Sequence, residues 1–103
     1  MKSVLNLLGI TRKAGKLTLG FTATSLAIKK DRILMVVMTT DSSPNTTEKM
    51  ERLCKKYQVD IYYLFNQIEL GRALGKSNLT VVGVASKEMA STIKKQILSA
   101  RME

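Results

Sequence analysis

Histidine and tryptophan are absent from this 103-residue sequence, and there is one cysteine and one proline. Without histidine the chain lacks the commonest general base and metal ligand. A single cysteine, Cys54, allows no internal disulfide, which suits a reducing compartment, and with no histidine it cannot build a zinc site of the usual kind. Long apolar runs are missing too. Val4-Leu5-Asn6-Leu7-Leu8 is cut short by Gly9, Arg12 and Lys13. No segment approaches the ~20 residues that span a bilayer, and nothing reads as a secretory leader. The expectation is a cytoplasmic chain with no membrane role, since a surface-bound helix would want tryptophan or phenylalanine at its edge.

Negative charge is the other scarcity. Seventeen basic residues face eight acidic ones, leaving +9. Residues 1–30 contain Lys2, Arg12, Lys13, Lys16, Lys29 and Lys30 and no acid at all. Clustered positive charge is the footprint of a phosphate-backbone binder, because each phosphate contact releases a condensed counterion. The composition, 45% apolar with no low-complexity tract, is that of one folded domain of ordinary size.

Helix and strand signals alternate along the chain. Residues 3–14 read as a helix capped by Ser3, with Val4, Leu5, Leu7, Leu8 and Ile10 inward and Gly15 as its stop. Leu17 to Leu19 is a short strand, and Gly20 opens a second helix to about Lys30. Ile33 to Met38 reads as a buried strand. Ser43 caps a third helix with Pro44 at its first position, running to Tyr57. Ile61 to Leu64 is a strand, and Asn66 with Glu69 forms a capping box for a short helix. Leu79 to Ala85 is the last strand, and Ser86 caps a final helix to Arg101. Four strands separated by helices predict an α/β protein, a three-layer α/β/α sandwich forming a single domain over residues 1–103.

Catalytic constellations are weak. Gly71-Arg72-Ala73-Leu74-Gly75-Lys76-Ser77 imitates a P-loop, but only three residues separate its glycines and it follows a helix. Gly9 to Lys16 has five intervening residues and no hydroxyl for magnesium. Met50, Leu53, Cys54 and Tyr57 fall at i, i+3, i+4 and i+7, so Cys54 belongs to a buried stripe. The eight acids form no motif. No catalytic residue, cofactor or metal is expected.

On a helical wheel for the second helix, Phe21, Thr24, Ser25 and Ile28 share one face. Thr22, Ala23, Leu26 and Lys30 share the other, with Lys29 near its edge. The exposed set starts at a helix N-terminus, where free N–H groups attract anions. Lys13 and Lys16 are expected to arrive beside it from upstream, and Gly20 permits close backbone approach.

Arg12-Lys13-Ala14-Gly15-Lys16-Leu17-x-x-Gly20 and Glu69-Leu70-Gly71-Arg72-Ala73-Leu74-Gly75-Lys76 resemble the ribosomal-protein family called L-seven-Ae, in particular its short bacterial branch. The likeness covers roughly residues 2–100. It implies a four-stranded mixed sheet whose last strand runs antiparallel to its neighbours. It also implies RNA binding in a ribosomal or translation setting, often at kink-turns. The family's RNA surface is the start of the second helix plus the loop before the last strand. Kink-turn binders carry Gly-x-Asn-Glu-x-x-Lys at that helix start; here the positions are Gly20, Thr22, Ala23 and Leu26, and only the glycine matches. Ala23 and Leu26 cannot hydrogen-bond to a base edge, and Thr22 offers one hydroxyl. The loop, Gly75-Lys76-Ser77-Asn78, is more polar than the family's usual one. The candidate RNA-binding set is Lys13, Lys16, Gly20, Phe21, Thr22, Ala23, Leu26, Lys29, Arg72, Lys76, Ser77 and Asn78. The expected partner is structured RNA, with ribosomal or other translation proteins beside it, and the expected state is a monomer. The alternative is a protein-interaction module of the same fold, with Ala23 and Leu26 as partner contacts.

Overall fold

The computed structural model describes residues 1–102. Nine elements follow in order: α1 (Lys2–Lys13), β1 (Leu17–Leu19), α2 (Phe21–Lys29), β2 (Met35–Met38), α3 (Pro44–Tyr57), β3 (Asp60–Tyr63), α4 (Gln67–Leu74), β4 (Val81–Val84) and α5 (Lys87–Arg101). The four strands form one sheet in the order β1-β4-β2-β3. β2 and β3 are parallel, while β4 is antiparallel to both β1 and β2. This is the mixed sheet expected, with the last strand reversed.

The central strands β2 and β4 are buried at every position because helices cover both faces. Side chains alternate across the pleat. Met35, Val37, Val82 and Val84 pack with α1, α4 and α5, whereas Val36, Met38 and Val81 pack with α2 and α3. Two cores separated by one sheet make the α/β/α sandwich.

Helix ends follow local chemistry. The Ser43 hydroxyl accepts from Thr46 N at 3.2 Å, with Pro44 just inside. Asn66 and Glu69 complete a reciprocal capping box on α4, and the Ser86 hydroxyl accepts from Met89 N. At α1 the expectation fails in two details. The helix begins at Lys2, so Ser3 lies within it and donates to Gln96 Oε1 instead of capping. Ile10 is exposed, and Thr11 takes the inward position with Val4 and Leu8. Those three fall at i, i+4 and i+7. Thr11 tolerates burial because its hydroxyl bonds the Leu7 carbonyl at 2.7 Å. The strands are also shorter than the apolar runs that announce them: Ile33 and Leu79 are buried in loops flanking β2 and β4.

Gly83 sits on the α2 face of β4. A Cβ there would stand 2.6 Å from Thr18 Oγ1 and 3.0 Å from Thr24 Cγ2. The bare backbone leaves room for a hydrogen bond of 2.9 Å between the Thr18 and Thr24 hydroxyls. That contact seats the first half of α2 on the sheet and sets where its exposed face points.

Candidate nucleic-acid interface

The start of α2 lies at the end of the sheet where β4 begins. Gly20 N donates to Val81 O at 2.9 Å, closing β1 against β4. Gly20 has φ +92°, a conformation that L side chains rarely adopt. A Cβ here would be an unremarkable 3.9 Å from Lys76 Nζ. Glycine is therefore required for the backbone angle and not for space, and the same measurement shows that Lys76 reaches over the start of α2. Beyond Gly20, Phe21 is half-buried against the α2–α3 core, and Thr22, Ala23 and Leu26 are exposed. The wheel predicted this division, with Thr24, Ser25 and Ile28 inward.

The loop that supplies Lys76 is held by its backbone. Gly75 ends α4 with φ +66°, and Lys76 N returns to the Gly71 carbonyl at 2.9 Å. Asn78 also takes a left-handed conformation, which asparagine tolerates better than most residues. Gly71 is buried beneath this turn; a Cβ on it would stand 2.4 Å from the Lys76 carbonyl oxygen. Arg12, which sequence reasoning left out of the site, donates from its guanidinium to the Leu74 carbonyl and so ties the end of α1 to the end of α4. Its distance in sequence hid it: the two residues are 62 positions apart.

Beside this loop an open groove of about 440 Å³ is lined by Asp41, Gln67, Ile68, Arg72, Ser77 and Asn78. Asp41 is an acid in otherwise basic surroundings, but its carboxylate accepts from Gln67 N at 3.1 Å and serves the start of α4. Ile68 is 64% exposed on the groove's rim. It was another omission, carrying no signal in sequence beyond its place one turn before Arg72.

The structure thus brings Lys76 to Gly20, at the start of the helix that carries Phe21, Thr22 and Ala23, and groups Arg72 with Ser77 and Asn78. It does not bring in the upstream lysines as expected. Lys16 O accepts from Ala85 N, whereas Gly20 N bonds Val81 O. Lys16 and Gly20 are therefore at opposite ends of β1, about 13 Å apart at ~3.3 Å per residue. Lys29 closes α2, about 12 Å from Phe21 at ~1.5 Å per residue. Lys13 lines a separate cavity with Leu5, Asn6, Gly9, Ile10 and Ala73, between α1 and α4. For Lys16 the physical reason is that β1 is extended and carries the chain the full height of the sheet in a few residues.

Cys54 is 2% exposed, in the stripe expected of it. Burial pushes its thiol up to about 11, with the negative charge of Glu51 adding to the effect. Tyr63, whose hydroxyl donates to Glu51, is raised as well, first by burial and then by that bond. A raised thiol pKa in the folded state means the unfolded chain loses its proton first. Stability from Cys54 is then present below about pH 9 and lost as the pH climbs toward about 11. Urea midpoints measured across that range should fall, and iodoacetamide should label the native thiol far more slowly than the unfolded one. Equal labelling rates would contradict the burial.

A mixed four-stranded sheet between helix layers, reversed in its last strand, with a glycine-opened second helix beside the loop before that strand, defines the architecture expected from the sequence motifs. A model of the ribosomal protein L7Ae/L30e/S12e/Gadd45 family matches residues 2–95, and the chain belongs to that family. More particularly, it is similar to the RNA-binding protein YlxQ of Enterococcus faecium, with 29% identity over 96 residues that cover 93% of this chain and 92% of the relative. The RNA-binding protein YlxQ of Bacillus subtilis (strain 168) is 31% identical over 87 residues, covering 84% and 87%. Among solved structures, a protein of unknown function from Bacillus halodurans C superposes with a TM-score of 0.84 at 27% identity, covering 89% of this chain and 93% of that one. A 15.5kD RNA binding protein of Giardia lamblia shares the fold, with a TM-score of 0.77 at 16% identity over 94% and 82% of the two chains. No helix among the described residues is long and apolar enough to cross a membrane.

Proposed function

We propose that this protein is a non-catalytic RNA-binding protein that works alongside the ribosome or translation machinery. It engages structured RNA through the start of α2 and the loop before β4. The observation that carries the reading is the placement of Lys76 over Gly20, with Arg72, Ser77 and Asn78 on the adjoining groove. Two cations, the free N–H groups at a helix start and a polar loop then face one RNA segment. Those groups suit phosphate and sugar contacts, which position a ligand, whereas base edges give specificity. Ala23 and Leu26 supply no donor or acceptor, so the reading is of shape and charge with limited base readout. The names of the YlxQ relatives support RNA as the ligand class.

The test restores the missing polar groups. Thr22→Asn, Ala23→Glu and Leu26→Lys together should raise the preference for a kink-turn over a plain duplex at least ~10-fold, equal to about 1.4 kcal/mol. A good bidentate base contact is worth roughly 1–3 kcal/mol where such contacts have been calibrated on DNA. All three side chains are exposed, so the core is undisturbed. Leu26→Lys alone should tighten both RNAs without discrimination, because it adds charge without geometry. An unchanged affinity ratio in a folded triple variant would move the RNA surface elsewhere. It would favour the protein-interaction reading, to which Leu26, 54% exposed, lends an apolar contact.

A further inference from the structure

At the opposite end of the sheet from Gly20 lies a second basic surface. α2 descends to Lys29 and Lys30 and ends in a tight turn, in which Asp31 N bonds Ile28 O and Arg32 N bonds Ala27 O. Asp31 takes a left-handed conformation there, with φ +56°. The turn delivers Arg32 to an open cleft of about 510 Å³, whose other walls are Gly15, Lys16, Leu34 and Ala85, with Asp31 on its rim. Leu34, 41% exposed, also borders a neighbouring hollow of about 300 Å³ with Lys87 and Lys94. The two hollows share Leu34 and read as one trough with cations along both sides.

Charge bookkeeping separates these groups from ordinary surface lysines. Lys94 is engaged, 2.8 Å from Asp60. Among the described residues, Lys16, Lys29, Lys30, Arg32 and Lys87 form no ion pair with a carboxylate. Lys29 and Lys30 complement the C-terminal end of the α2 dipole, which accounts for their presence locally. Lys16, Arg32 and Lys87 have no such local purpose, since they come from three separate segments that only the fold brings together. Asp31 and Glu88 are the acids in these segments, so five free cations outnumber them. Mutual repulsion among Lys16, Arg32 and Lys87, the unpaired cations that line the two hollows, is relieved by a polyanion laid along the trough.

We propose that this trough is a second RNA-backbone site, and that the protein bridges two RNA segments held at opposite ends of its sheet. The proposal rests on the reading that the α2 end binds RNA. The domain measures 30 × 28 × 26 Å, and the two surfaces lie at opposite ends of β1, where Gly20 N bonds Val81 O at one end and Ala85 N bonds Lys16 O at the other. A short hairpin bound at one end therefore leaves the other free for a second segment. Contacts here are to phosphates, with Leu34 as an apolar floor, so the second site is insensitive to sequence and strongly salt-dependent.

The test is a capture assay. One short RNA hairpin is immobilised, the full-length protein is bound to it, and retention of a second, fluorescent hairpin is measured. Lys16→Glu, Arg32→Glu and Lys87→Glu are combined in one variant, and Arg72→Glu with Lys76→Glu in another; circular dichroism verifies the fold of each. Wild type should retain the second hairpin. The first variant should still bind the immobilised hairpin, with retention of the second lost and the slope of log affinity against log salt reduced by about 2 or more. The second variant should also lose retention. Retention by the first variant equal to wild type overturns the second site, as does a wild type that binds one hairpin and never two. If the first variant loses all RNA binding while the second binds normally, the trough is the only RNA surface and bridging is overturned. If wild type binds no hairpin even at low salt, the RNA-binding function itself falls, and the second site with it.

Discussion

Exchanging Arg72 and Lys76 together for glutamate is expected to lower the affinity for structured RNA by at least ~100-fold near physiological salt, about 2.7 kcal/mol. Both side chains are exposed, and Arg72 makes no ion pair among the described residues, so the fold has no need of either charge. Each lysine or arginine that neutralises a phosphate contributes roughly one unit to the salt slope, so losing two should flatten it by about 2. Reversal goes further than removal, because two carboxylates would then face the phosphates beside Asp41. Fluorescence anisotropy over a series of salt concentrations gives both numbers. Wild-type affinity with an unaltered slope would show that RNA does not approach the α4–β4 loop. An exchange of the same size on the outer face of α3, Lys49→Glu with Lys56→Glu, should matter much less, which separates a local contact from the effect of net charge.

Gly71→Ala should be the most destabilising single change near the site. Two effects oppose each other. Gly71 is inside α4, and alanine is a better helix former by about 1 kcal/mol. Against that, the new Cβ would stand 2.4 Å from the Lys76 carbonyl oxygen and 3.5 Å from its carbon, both backbone atoms that no rotamer change can move aside. Overpacking of this kind costs about 1–3 kcal/mol and occasionally more. It would also break the turn in which Lys76 N bonds the Gly71 carbonyl. The clash should win, with a net loss of about 2 kcal/mol, a fall in Tm on the order of 8–16 °C for a domain of this size. Gly9→Ala is the control: a Cβ there meets nothing within 4 Å, and the helix should gain up to ~1 kcal/mol. RNA affinity of Gly71→Ala, measured well below its Tm, should drop because Lys76 is displaced from Gly20. An affinity equal to wild type would mean that the loop's geometry is irrelevant to binding.

The differences between sequence and structure have two causes. Ile10 was assigned inward by its hydrophobicity, yet Thr11 holds that position because a hydroxyl can satisfy itself on the Leu7 carbonyl. Lys13 and Lys16 were assigned to the start of α2 because they precede it closely in sequence. A three-residue strand intervenes, and an extended strand separates its ends by more than a helix or turn of the same length would. Arg12 was left as one more surface cation, although it grips the end of α4. For Ile10 hydrophobicity misleads; for Lys13, Lys16 and Arg12 nearness along the chain is not nearness in space.

What the sequence determined alone is everything governed by neighbours within a few positions. Periodicity set the helices and strands, side-chain caps set the starts of α3, α4 and α5, and Gly20 was legible as the glycine that opens α2, although its positive φ, and not close approach, is what the structure requires there. The excess of positive charge, and the absence of histidine, needed no structure at all. The tertiary structure decided which of those pieces meet. Strand β4 inserts between β1 and β2, which brings the loop ahead of it over the start of α2 and sets Lys76 against Gly20. The same insertion places Lys16, Arg32 and Lys87 together at the other end. The place of β4 depends on contacts between segments 43 to 67 residues apart, and no local pattern encodes which strand edge a distant segment will pair with.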